Sequence, residues 1–120
     1  MIDIYIMSKT EFVLKDLTGI SSFSSNIFVH YPVKHVQCSV NYAHDNTEVG
    51  VSAIRCQAIS TSSNGIINIF QDSSTVSSVD FYYESPRMFN GVMTFDILTD
   101  ALALDATRNG KLVIILTFYQ

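Results

Sequence analysis

A chain of 120 residues is the length of one domain, long enough to bury a core without a metal or disulfide staple. Charged residues make up 15% of it against 48% hydrophobic ones, and the net charge is −4. The basic residues Lys9, Lys15, Lys34, Arg55, Arg87, Arg108 and Lys111 are scattered singly, which argues against nucleic acid and against an anionic membrane surface as partners, because both select clustered cations.

In chain order, Ile2, Ile4 and Ile6 alternate with Asp3 and Tyr5, the period of two that marks a strand. Met7-Ser8-Lys9-Thr10 reads like a natural start, so residues 1–6 read as an N-terminal extension, an extra strand free to join a neighbour's sheet edge. They lack the basic leader and unbroken apolar stretch of a signal peptide. Phe12 and Leu14 alternate with Glu11 and Lys15, although Val13 breaks the pattern. Ser21-Ser22-Phe23-Ser24-Ser25 reads as a separator. Ile27, Val29 and Tyr31 follow, closed by Pro32. The cleanest amphipathic strand sets Val36, Cys38, Val40 and Tyr42 against His35, Gln37, Ser39 and Asn41.

Further strands are predicted over residues 51–60, 65–70, 75–84, 91–98 and 111–119. Between them lie hydroxyl- and amide-rich tracts at 60–65 and 71–74 and a turn at Ser85-Pro86-Arg87. Asn109-Gly110 is the strongest hairpin signal. It would pair the preceding stretch, residues 99–107, with the last strand if that stretch is an edge strand rather than an irregular or 3₁₀ piece. Residues 33–42 and 51–60 are predicted to form a hairpin around Asp45-Asn46-Thr47-Glu48, with Cys38 opposite Cys56.

Eight or nine short strands and no long amphipathic helix predict a single all-β domain. Two antiparallel sheets in a jelly-roll-like sandwich of about eight strands fit the count. An immunoglobulin-like sandwich is the near alternative, but the chain has no Trp for its usual core. The expected core is Val36, Cys38, Val40, Ile54, Phe81, Phe95, Ile114, Leu116 and Phe118. The strand at 111–119 carries Val113 and Ile115 on its other face, so both of its faces should be covered.

No enzyme is predicted. There is no phosphate-binding glycine loop, and Gly50-Val51-Ser52-Ala53-Ile54 lacks the closing Gly of a nucleophile elbow. Asp96, Asp100 and Asp105 lack the spacing of a calcium loop. Cys38 and Cys56 sit on apolar faces, where a thiol is a small buried hydrophobe rather than a nucleophile. A zinc site would have to draw on His30, His35 or His44. His35 points away from Cys38, and no Cys-x₂-Cys knuckle exists. No metal and no cofactor are therefore expected. The two thiols read as close neighbours that stay reduced, as in a reducing, cytoplasmic compartment.

The aromatic residues suggest contacts. Phe81-Tyr82-Tyr83 puts rings on both faces of one strand, and Met88-Phe89 follow directly after the Pro86 turn. Core packing, a protein contact patch or a platform for sugar rings each suit such residues. Ile2, Ile4, Tyr82, Met88 and Phe89 are the predicted interface. The function read from this is a structural subunit that assembles with itself or with other subunits. A carbohydrate-binding or adaptor module is the alternative.

The run Val79-Asp80-Phe81-Tyr82-Tyr83, a proline turn, Phe89-Asn90-Gly91-Val92-Met93-Thr94-Phe95, Thr99-Asp100 and then residues 109–118 resembles the C-terminal part of small β-sandwich virion proteins. These are the minor capsid and accessory proteins of large double-stranded DNA viruses. Residues 27–40 are similar to their early strands. The resemblance implies a structural role in a virion assembled in a reducing host cytoplasm or nucleus, with capsid proteins as partners. It carries over no catalytic residue. The N-terminal extension and the short loops depart from the family's pattern.

Overall fold

The computed structural model describes residues 7–43, 51–71, 75–99, 101–107 and 110–120. Among these residues eight strands follow one another: β1 (Ser8–Asp16), β2 (Ser22–Phe28), β3 (Val33–Ala43), β4 (Val51–Arg55), β5 (Ile66–Gln71), β6 (Thr75–Arg87), β7 (Asn90–Thr99) and β8 (Lys111–Tyr119). They form two four-stranded sheets, ordered β1-β8-β3-β6 and β2-β7-β4-β5, and every pairing is antiparallel. The pairs β1·β8, β2·β7, β3·β6 and β4·β5 are nested like one long hairpin. Rolling that hairpin up brings β8 beside β3 and β7 beside β4. This is the jelly roll, which buries one face of each sheet against the other.

Period-two alternation fills the space between the sheets. Val36, Cys38, Val40 and Tyr42 of β3 and Leu112, Ile114, Leu116 and Phe118 of β8 are buried, facing Ile54, Ile67, Phe95 and Ile97 of the second sheet. Each such side chain contributes about 1.5–3 kcal/mol by leaving water. All nine residues expected in the core are buried. Val113 and Ile115 are only half-buried, so β8 is covered on its inner face and partly open on the other.

The sheet topology corrects several local expectations and decides between the alternatives left open for residues 99–107. Residues 33–42 and 51–60 do not form a hairpin. Both edges of β3 are taken by β6 and β8, so the chain crosses to the second sheet to make β4. β4 itself ends at Arg55, where the Cys56 carbonyl accepts bonds from the N–H groups of Ile59 and Ser60 in a tight turn. The serine tract at 21–25 is largely strand, because Ser22 and Ser24 point outward to Asp96 and Thr94 while Phe23 points into the core. Pro86 lies within β6 rather than in a turn. That strand is a sheet edge, bulged between the Val33–Arg87 and His35–Tyr82 pairs, where a missing N–H is tolerated.

The stretch after β7 does not pair with β8, whose two edges belong to β1 and β3. It folds back on β7 instead. Thr99 N–H donates to the Ala103 carbonyl at 2.7 Å, Leu104 bridges Leu98, and Leu102 takes a left-handed φ of 61° to make the bend. Finally, β1 has the opposite sense from the Phe12/Leu14 alternation. Its register sets Val13 against Ile114, a core residue, so Val13 faces in and Phe12 and Leu14 face out.

Candidate functional site

The outward face of the first sheet carries two distinct surfaces. At one end, Phe12 and Leu14 are 60% and 70% exposed. Their cross-strand partners Ile115 and Val113 are half-buried beside them, so four apolar side chains adjoin. A shallow hollow of about 210 Å³ beside them is lined by Leu14, Lys15, Asp16, Lys111, Leu112 and Val113. Isolated surface apolar residues are ordinary, but adjoining ones on a regular strand mark contact surface.

At the other end, three rings stand in a row. His35 lies between Tyr82 and Tyr119, with centroids 4.2 and 4.8 Å away and planes within 13° and 16° of parallel. The register explains the row, since β6, β3 and β8 bring residues 82, 35 and 119 side by side. Asp80 holds His35 Nε2 at 2.7 Å. The Thr10 and Thr117 hydroxyls, 3.1 Å apart, lie between this row and the apolar end.

Of the residues predicted to make contacts, Ile2 and Ile4 lie outside the described residues. Tyr82 is 69% and Met88 61% exposed. Phe89 turns inward. It is buried at the end of the sandwich, 5.0 Å from the Phe118 ring and 6.4 Å from that of Tyr83, so it supplies core packing rather than exposed surface. Tyr31 completes that end, its buried hydroxyl donating to the Phe118 carbonyl at 2.6 Å. Sequence reasoning missed Phe12, Leu14 and, on the second sheet, Val92 and Phe28, all of them exposed. The signal for β1 was available: Val13 between Phe12 and Leu14 makes both faces of the strand apolar, and one of them has to face out.

The two cysteines are not hairpin partners: both belong to the buried core between the sheets. Both are free and buried, in the first sheet and just beyond β4 of the second. Burial pushes the Cys38 thiol up to about 12, with the nearby Cys56 adding to the rise, and pushes Cys56 up to about 11. Asn68 Nδ2 donates to Cys38 Sγ at 3.4 Å, and its Oδ1 accepts from the Ser77 hydroxyl, so this buried amide ties β5 to β3 and β6. Thiols held neutral in this way are poor nucleophiles and poor metal ligands. Among the described residues, no three His, Cys, Asp or Glu side chains are grouped to hold a metal ion.

No family model and no curated protein sequence matches this chain. Among solved structures, it is similar to the protein of the virus-like particle of extra small virus from the giant freshwater prawn Macrobrachium rosenbergii. That match has 13% identity, spans 99% of this chain and 81% of the other, and has a TM-score of 0.41. It is also similar to a protein of Bacillus endospore appendages, which are disulfide-linked pili. There the identity is 10%, the spans are 94% and 87%, and the TM-score is 0.36.

Proposed function

We propose that this chain is a structural subunit that works through protein–protein contacts, serving as a minor capsid or accessory component of a virion. The observation that carries the assembly reading is the adjoining exposed pair Phe12 and Leu14 on a regular strand. Such a surface gains by being covered, and a sheet edge is a ready template for another chain. Tyr82, Met88 and residues 1–6 are further contact candidates in the same reading. The virion setting rests on the resemblance of the strand-and-turn order.

A sugar-binding platform has less support. The rings of His35, Tyr82 and Tyr119 stack on one another, so their edges rather than their faces look away from the sheet. Light scattering coupled to size exclusion over a wide concentration range tests the assembly reading. Mass rising with concentration is the expected result. A strict monomer that also binds on a glycan array would overturn it in favour of the carbohydrate module.

A further inference from the structure

The outer edge of β1 is paired by no described strand. At the two ends of the β1·β8 ladder, Gln120 N–H bonds to the Met7 carbonyl and Leu17 N–H to that of Gly110. The register is unbroken between them. In an antiparallel ladder bonded residues alternate with unbonded ones, so the odd-numbered residues of β1 bond to β8. The backbone groups of Thr10, Phe12 and Leu14 therefore point outward along the edge.

An edge of this kind pairs antiparallel with an identical edge only if even-numbered residues meet even-numbered ones. The two-fold axis then passes through a residue and not between two. The side chains choose which residue. An axis at Phe12 sets Lys9 against Lys15 of the second copy. An axis at Leu14 sets Lys15 against Val13. An axis at Val13 sets Glu11 against Lys15 twice and Phe12 against Leu14 twice, with the two Val13 residues side by side. Glu11 and Lys15 are half-buried on the inward side of the strand, while Phe12 and Leu14 share the outward side. Inward charges on an edge strand normally repel a second edge. Of these three axes, at Phe12, Val13 and Leu14, only the one at Val13 sets opposite charges together; an axis at Thr10 also matches Lys9 with Glu11 but leaves Leu14, Lys15 and Asp16 beyond the paired described residues.

From this juxtaposition we infer that β1 is a self-complementary edge, and that a second copy of this chain docks on it about a two-fold axis at Val13, joining two sheets into one of eight strands. The inference rests on the assembly reading and names its partner and register. Such an interface is isologous, so each contact occurs twice. It extends the apolar area of Phe12, Leu14, Val113 and Ile115 across both copies. Lys9 Nζ stays within the chain, 2.7 Å from the Phe28 carbonyl and 3.0 Å from Glu11. A single strand edge is at the low end of interface sizes, so association should depend on concentration.

The test is a charge swap between copies, read by sedimentation velocity with circular dichroism to confirm folding. Glu11→Lys alone sets Lys against Lys at both pairs, and Lys15→Glu alone sets Glu against Glu. Each variant should raise the dimer dissociation constant by about tenfold or more. Mixed one to one, the two variants restore both opposite-charge pairs, and heterodimers should form with an affinity close to that of the wild type. Local destabilisation cannot give that rescue. A wild type that self-associates with no response to either variant overturns the β1 register and leaves the assembly reading standing. So does association lost only on deleting residues 1–6. A wild type that stays monomeric overturns the inference, and the glycan array then decides the fate of the assembly reading separately.

Discussion

The two edges of the first sheet are built on opposite plans. β6 is bulged, carries Pro86, and is bound to the second sheet from several directions. The Tyr83 hydroxyl donates to the Ile59 carbonyl at 2.6 Å, and Arg87 lies 4.2 Å over the Tyr83 ring while donating to the carbonyls of Ala58 and Ser60. β5 lies against β6 as well, and the Asn68 amide joins the two sheets there. β1 is regular from Ser8 to Asp16, and its main described tie to the second sheet is Lys9 on the Phe28 carbonyl. One side of the sandwich is thus closed by the chain's own polar groups and distorted against further pairing. The other is unbulged, carries Phe12 and Leu14 on its outward face, and is paired by no described strand. Edges are protected where pairing would do harm and left regular where it serves.

Substitutions at the closed side should therefore damage folding, and those at the open side should damage association alone. Phe89→Ala should cost about 3–5 kcal/mol in urea unfolding, the range for removing a buried aromatic ring. A loss below about 1 kcal/mol would show that Phe89 is not a core residue. Alkali acts on the same side. Free thiols in an unfolded chain ionise near pH 8.5, whereas Cys38 and Cys56 hold their protons to about 12 and 11. Their contribution to stability is therefore fully present below about pH 8.5 and declines steadily as pH rises to about 12. By pH 11 the loss is on the order of a few kcal/mol. Unfolding curves of the Cys38→Ala, Cys56→Ala double variant should be flatter over that window. At pH 8 both thiols should react with a disulfide reagent only after denaturation.

Smaller effects sharpen the contrast. Tyr83→Phe leaves the Ile59 carbonyl without its donor and should cost about 1–3 kcal/mol, with the dimer dissociation constant unmoved. Phe12→Ser on the open side should change unfolding by no more than about 0.5 kcal/mol yet weaken self-association. The reverse result would place Phe12 in the fold and not at a contact.

The core was readable because alternation is a local property. Val36, Cys38 and Val40 announce their face in consecutive residues whatever lies beside them. Which sheet a strand joins is not local. The segments at 33–42 and 51–60 look like hairpin partners by spacing, and only the competition of β6 and β8 for β3 separates them. Cys38 and Cys56 share the core all the same, both buried from opposite sheets. The face of β1 was lost for a related reason. Phe12 and Leu14 outweigh Val13 in bulk, but the register with β8 decides the matter, and register is set about a hundred residues away along the chain. Pro86 misled because proline argues against strand only where both edges of a strand are paired.

The central position of β8 has a consequence for how the protein is made. β8 lies between β1 and β3, so those two strands have no direct pairing of their own. Until residues 111–119 have left the ribosome, β1 has no neighbour in its sheet and β3 has only β6. The first sheet therefore closes in a late, long-range step that joins residues about a hundred positions apart, the kind of closure that makes folding slow. During that interval β1 exposes two free edges instead of one. A nascent chain tethered short of residue 111 should leave β1 open to proteases, and release of β8 should protect it in a single step.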